Sequence, residues 1–322
     1  MRERFGAYLT AAIWAALAIL GLVGVDWLLV QVAMYFCYGI LALGLSLIWG
    51  QAGILSFGQA IFFGAGAYAY ALVTLGMLPS LGSSILVGIL LAAVVAGLLA
   101  AAMAWVTFAG RGLSGAHFAI VTLCTATVVE IAITRTEFLG GYNGLFGVPP
   151  LSWGDEMLGD RTLYYLMFAI TLAAFLATVA IIRSPYATVL EAIRDNEVRV
   201  RHLGYATRGL KSAAFIFAGV LSGLAGALFA AQFGFVSPSL AGFALSTQVL
   251  IWVAVGGRSV PMAALMGALV VSGTENLLSN TLGNLWLLVL GILFVIVVVV
   301  ARHGLFAPAL RLPTPGRLKG MG

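Results

Sequence analysis

Residues 84–109 read SILVGILLAAVVAGLLAAAMAWVTFA, a run of 26 residues without one charge. A helix needs about 20 apolar residues to cross a hydrocarbon layer of about 30 Å. Nothing in this run supplies a polar face for water, so it reads as a helix that crosses a lipid bilayer. Working outward in windows of that size gives ten such runs, at 7–25, 28–49, 60–78, 84–109, 113–134, 162–182, 212–232, 245–256, 260–278 and 284–301. The eighth is the shortest. No strand-like alternation appears, and lipid admits only elements that satisfy their own backbone groups. The expected fold is therefore an all-α integral membrane protein with about ten transmembrane helices, one polytopic domain over 1–322.

Composition agrees. The chain is 62% hydrophobic and 8% charged, where a soluble domain carries about 25% charged residues. The net charge of +5 does not point to nucleic acid, because the basic residues fall between apolar runs. With ten spans, 14 of the 16 Lys and Arg lie on the side of the termini, and only Arg135 and Arg161 lie opposite. Basic residues collect on the cytoplasmic face, so both termini are expected in the cytoplasm. Gly accounts for 40 residues, many at small-xxx-small spacing such as Gly219, Gly223 and Ala227, which lets helix backbones approach closely in lipid.

Several chemistries are excluded. Neither lysine follows a GxxxxG loop, so no phosphate-binding loop is present. The GxGxxA-like run Gly64–Ala69 sits inside an apolar span, not after a soluble strand. No GxSxG or HExxH motif occurs. The histidines, cysteines and carboxylates show no metal-ligand spacing. Cys37 and Cys124 fall inside apolar runs, which argues against a disulfide framework. The chain is expected to be non-catalytic and to hold no cofactor or metal of its own.

The segment 183–211 stands apart. Ser184 and Pro185 suit the start of a helix, Gly204 suits its end, and Val189, Ile193, Val200 and Leu203 share a face. Asp195 with Arg199, and Glu197 with Arg201, are acid-then-base pairs at i,i+4. This is an amphipathic rod followed at once by a membrane helix, suited to carrying a push from a soluble partner.

Four stretches then carry a resemblance. They are Glu191-Ala-Ile-Arg-Asp-Asn-Glu197 with Leu203-Gly204, Lys211, Ala214-Phe215 and Ser222–Leu228; Gly50-Gln-Ala-Gly-Ile-Leu-Ser-Phe-Gly58 with Phe62–Tyr68; His117–Leu123 with Gly140–Pro149; and Gly256-Gly257-Arg258. Taken in chain order, from about residue 35 to 300, they resemble the M-type permeases of branched-chain amino acid ATP-binding-cassette (ABC) importers. The resemblance implies a type II-like importer bundle in the bacterial inner membrane. It implies a homologous second permease, two ATP-binding subunits that hold the ATP and Mg, and a periplasmic substrate-binding protein. The expected cargo is branched-chain or other small hydrophobic amino acids; permeases of the same architecture carry urea, short amides or aromatic acids. A self-sufficient secondary transporter would want paired ionisable groups near the midplane, which these spans lack. On this resemblance Glu191, Arg194, Asp195, Asn196, Glu197, Leu203 and Gly204 form the ATPase-coupling segment.

Candidate residues of the solute path follow from polar interruptions of apolar sequence. Gln51, Ser56 and Gln59 mark a Gly-rich break, and such breaks line cavities. Thr127 and Glu130 place polar groups on the fifth span. Gly141, Asn143 and Gly144 lie in the long loop 135–161, expected to be an outer gate. Glu275 and Asn276 are expected at the outer end of the ninth span. A second Gly-rich break is expected near Gly256–Gly267.

Overall fold

The computed structural model describes residues 2–108, 115–153, 156–282, 285, 288–289, 291–292 and 304–310. Ten helices dominate the described residues: α1 (Arg2–Val23), α2 (Asp26–Gly50), α3 (Gln59–Thr74), α4 (Ile85–Thr107), α5 (Gly115–Arg135), α6 (Asp160–Arg183), α7 (Pro185–His202), α8 (Thr207–Phe233), α9 (Phe243–Gly256) and α10 (Pro261–Leu282). Seven of them are long and apolar enough to cross a membrane; α3 and α9 are apolar but shorter. The protein is an all-α, multi-pass membrane protein. The expected span 284–301 lies largely outside the described residues.

The short helices carry the main departure from expectation. At 1.5 Å per residue, α3 is about 24 Å long and α9 about 21 Å, both less than the hydrocarbon thickness. Each follows an irregular segment, 51–58 before α3 and 234–242 before α9. The chain at 75–78, expected to continue the third span, is already a turn: Gly76 takes φ +69° and ends the helix. The second break falls at 234–242, not at 256–267, because Gly256 and Gly267 sit in helices that press together through their backbones.

The core is built where backbones can touch. Helix α3 is buried along nearly its whole length. It packs against α8 where Gly66 meets the Gly223 carbonyl and Gly226 meets that of Phe63. Packed against both α3 and α8, Ala92, Ala96, Ala100 and Ala104 of α4 form a buried stripe at every fourth residue. Ala100 abuts Gly219 and Ala96 abuts Gly223. Small residues at this spacing replace the hydrophobic effect as the source of cohesion in lipid. The outward faces of α1 and α4 remain exposed through Leu22, Leu86, Leu90 and Leu98, as lipid-facing helices require.

Helix α6 separates two ends of the bundle. One end carries α7. The other carries 136–158, with short helical turns at Glu137–Leu139 and Gly141–Asn143 and two small ladders. Strand β1 (Leu145–Phe146) pairs antiparallel with β4 (Phe235–Val236), and β2 (Ser152–Trp153) pairs with β3 (Glu156–Met157).

Candidate functional site

Two sites stand out, the broken helices at the centre and the grips that hold them from either end. In the first break, residues 51–58 leave α2 and turn at Gly53, whose φ of +69° only glycine takes without strain. Gln51, Ser56 and Gln59 are all buried. The Ser56 hydroxyl accepts from the Gly58 amide at 3.2 Å, and Gln59 Oε1 accepts from Ser222 Oγ at 2.9 Å. Gln59 Nε2 is buried without a partner among the described residues. The Phe57 amide donates to Thr122 Oγ1 of α5 at 3.1 Å, and the Ala60 amide to Ser246 Oγ of α9 at 3.4 Å. The N-termini of α3 and α9 therefore abut.

The second break mirrors the first. It opens on Gly234 at φ +70° and closes on Gly242, as the first opens on Gly53 and closes on Gly58. Glu130 of α5 packs against Gly242, in the space a side chain there would need. A carboxylate at a helix N-terminus offsets the partial positive charge of its free amides. Thr122, Ala126 and Glu130 repeat every fourth residue, so one stripe of α5 touches both N-termini, through contact points about 12 Å apart along its own axis. Thr127, expected on the path, is exposed and bonds only to its own helix at Leu123 O.

At the α7 end, the segment expected to couple to an ATPase forms a helix with several departures from expectation. Ser184 does not cap it with its side chain; the hydroxyl instead donates back to Ile181 O at 2.6 Å. Asn196 takes extended angles, φ −159° and ψ 91°, and breaks α7 into two rods, 185–195 and 197–202. Its Oδ1 accepts the Arg199 amide at 2.9 Å, so Asn196 caps the second rod. Ala187, Leu190, Ile193 and Val200 are buried, so the apolar face continues past the break; Leu203, just beyond the last helical residue, is 71% exposed. Of the two expected i,i+4 pairs, Glu197 with Arg201 forms at 3.2 Å. Asp195 instead meets Arg194, at 3.4 Å. Glu191 is half-buried. Gly204, at φ +89°, makes the terminal turn.

Two charged contacts join α7 to the membrane helices, beside the Tyr186 hydroxyl, which donates to the Leu210 carbonyl. Arg194 lays its stem over Gly53 and donates through Nη1 to the carbonyl of Gly50. Glu197 meets the ammonium of Lys211 at 2.8 Å and accepts from Thr207 at 3.2 Å. Lys211 is 4% exposed and lies 4.9 Å from the Phe108 ring centre. Phe108 stacks on Phe118 of α5 at 5.3 Å, and Phe215 meets Phe108, Phe118 and Phe62 of α3. Burial alone would push the Glu197 carboxyl up; Lys211, with Thr207 and Arg201, outweighs it and holds the carboxyl below its usual range.

At the other end, Gly140, Gly141, Gly144 and Gly147 all take positive φ, which compresses the loop against the second break. Gly144 lies against the Val236 carbonyl with no room for a Cβ. The Val148 amide donates to Gly234 O at 3.1 Å. Asn143 is exposed, one residue from this contact. Of the expected outer-gate residues, Gly144 touches the break, Gly141 supports the turn, and Asn143 faces outward.

A family model described as the branched-chain amino acid transport system / permease component matches residues 25–298. The chain belongs to that family. The permease is 31% identical over 316 residues to LivM, the high-affinity branched-chain amino acid transport system permease protein of Escherichia coli K12; the match covers 88% of the chain and 71% of that protein. It is 21% identical to the Pseudomonas aeruginosa permease protein BraD, over 77% of the chain and 83% of that protein. It is 29% identical to the autoinducer 2 import system permease protein LsrC of Yersinia enterocolitica over 42% of the chain. No solved structure matches. The permease is thus a membrane-spanning component of an ABC importer.

Sequence reasoning missed the roles of Thr122, Ser222 and Ser246, hydroxyls within apolar helices, and it missed the burial of Lys211. For Lys211 a signal existed: a lone lysine four residues inside a membrane helix needs a carboxylate partner.

Proposed function

We propose that this permease imports branched-chain or similarly small hydrophobic amino acids, moving them past the two abutting helix N-termini as a soluble ATPase pushes on α7. In this reading the chain crosses the inner membrane ten times and both termini face the cytoplasm with α7. The loop 136–158 faces the periplasm and receives cargo from a binding protein. ATP and Mg are held by two ATP-binding subunits, and a homologous second permease completes the path. The cargo follows from the names of the relatives.

One observation carries the mechanism: α7 holds the first break and α8 by separate contacts, Arg194 on Gly50 and Glu197 on Lys211. A push on α7 then moves the start of α3 through the first contact. Through the second it moves the Phe108–Phe118–Phe215 cluster, and with it the α5 stripe that bears on both N-termini.

The test is leucine uptake into proteoliposomes holding the whole transporter. Arg194→Ala removes the hold on Gly50 without touching a membrane-buried side chain. The expected result is assembly and ATP hydrolysis near wild type, with uptake reduced at least about tenfold. Wild-type uptake by that variant overturns the mechanism; wild-type uptake of another solute class in place of leucine overturns the cargo alone.

A further inference from the structure

A cavity of about 250 Å³ lies between α2, α9 and α10, apart from the broken-helix site and on the far side of α9 from α5. Its walls are chemically unusual for lipid depth. Tyr35, Tyr38 and Trp252 supply aromatic surface, with the Tyr38 and Trp252 ring centres 4.8 Å apart. Glu275 supplies a carboxylate, about 21 Å along α10 from Pro261. No basic side chain is among the lining residues. Glu275 Oε1 accepts from Gln248 Nε2 at 3.1 Å, while Oε2 has no hydrogen-bond partner among the described residues. Asn276 donates to the Tyr35 hydroxyl at 3.1 Å and holds that ring in place.

Two further groups point to an occupant. Trp252 Nε1 and Ser272 Oγ are buried without a hydrogen-bond partner among the described residues, although Trp252 is 1% and Ser272 4% exposed. Both residues line the cavity. A buried donor left unmade costs about 1–3 kcal/mol, and an indole N–H can only donate. An occupant must therefore bring an oxygen acceptor as well as a group that suits a carboxylate among aromatic rings. Aromatic faces and a carboxylate attract an ammonium.

We infer that this cavity binds a zwitterion, an ammonium seated between Glu275 and the aromatic rings with an anionic oxygen turned toward Trp252 and Ser272. A free α-amino acid has that chemistry, and so does the phosphoethanolamine headgroup of a lipid. The inference does not depend on what the transporter imports.

The experiment follows thermal unfolding of the full chain in phosphatidylcholine nanodiscs. L-leucine is titrated in one arm; in the other, phosphatidylethanolamine replaces part of the lipid. Glu275→Gln removes the charge. Ser279→Lys, at an exposed residue on the cavity wall, places a tethered ammonium beside the carboxylate and leaves Glu275 intact. Stabilisation by leucine that both variants weaken about tenfold or more assigns the site to a free amino acid. Stabilisation by phosphatidylethanolamine that both variants remove assigns it to a lipid headgroup. Either result supports the inference. No response in either arm, or a response that either folded variant keeps, overturns it. Should Glu275→Gln fail to fold, Ser279→Lys decides alone. Trp252→Phe keeps the aromatic wall and loses the N–H, and is expected to weaken binding several-fold.

Discussion

The two broken helices are built alike and held differently. Segment 51–58 and segment 234–242 each carry a positive-φ glycine at or near the start, Gly53 and Gly234, end on a glycine N-cap and lead into a short helix. Yet the first is gripped by charged side chains, Arg194 on Gly50 and Glu197 on Lys211. The second is gripped by backbone: the β1–β4 ladder, the Val148–Gly234 hydrogen bond and the seat of Gly144 on Val236. Side-chain grips can be remade at new distances as a partner moves α7. A backbone ladder has one register and one length. The difference fits the proposed mechanism, in which the α7 end is driven and the opposite end holds until the first has moved.

The largest expected effect comes from breaking the backbone grip. Gly144→Val puts a β-branched residue at φ +76° and drives its Cβ into the Val236 carbonyl. A left-handed residue costs about 1–2 kcal/mol and overpacking a further 1–3 kcal/mol. A loss of about 3–4 kcal/mol in unfolding stability in mixed micelles is expected. A loss under about 1 kcal/mol means that the ladder does not hold the second break.

The charged grip comes next. Lys211→Met removes the buried partner of Glu197 and leaves it only the exposed Arg201, and a loss of about 3 kcal/mol is expected, at the low end for a broken buried pair because Glu197 is partly exposed. The double variant Glu197→Gln with Lys211→Met should recover most of that loss, since no unpaired charge remains. Additive losses in the two single variants would show that the residues act separately.

The same pair predicts a pH dependence. The Glu197 carboxyl is held below its usual range, so its contribution is fully present above the ordinary carboxylate pKa of about 4.3 and fades as pH falls through the lower folded value. The stability difference between wild type and Glu197→Gln should be flat from pH 8 to about pH 5 and shrink only in stronger acid. A difference that shrinks between pH 8 and 6 would assign the effect to another group.

Glu130 sharpens the comparison from α5. Only the α9 N-terminus has a carboxylate against its cap residue. Glu130→Gln should cost about 1 kcal/mol, and Thr122→Val, which strips an acceptor from the Phe57 amide, a similar amount. The smallest effect belongs to the exposed pair of Asp26 and Arg161, 3.7 Å apart. Asp26→Asn should change stability by under about 0.5 kcal/mol, which would confirm that charge matters at the α7 end through burial and not through mere presence.

The sequence made the long helices legible because an uncharged run of 20 or more residues has few other outcomes in water or lipid. It made the first break legible through Gly50–Gly58 and the polar residues within it. It did not reveal the second, because 234–242 is apolar apart from Ser237 and Ser239, and its irregularity is imposed by β1, about 90 residues earlier. Pairings between distant segments leave no local periodicity to read. The bend at Asn196 was hidden for a related reason: an Asn within a helical pattern is ordinary until its side chain is seen to cap the next turn. Leu203 was misassigned because it lies just past the last helical residue of α7, where a face projected along the helix no longer holds.

The alanine stripe of α4 set against the glycines of α8, and those glycines set against α3, leaves almost no interstitial volume among three helices. Hydrostatic pressure acts on a protein by eliminating internal voids. A layer without voids offers it no purchase. Under a few kilobar this slab should hold its spacing while the looser regions, including the cavity beside Trp252, contract first. Pressure would then separate the incompressible frame of the molecule from its yielding parts, with no change made to the chain.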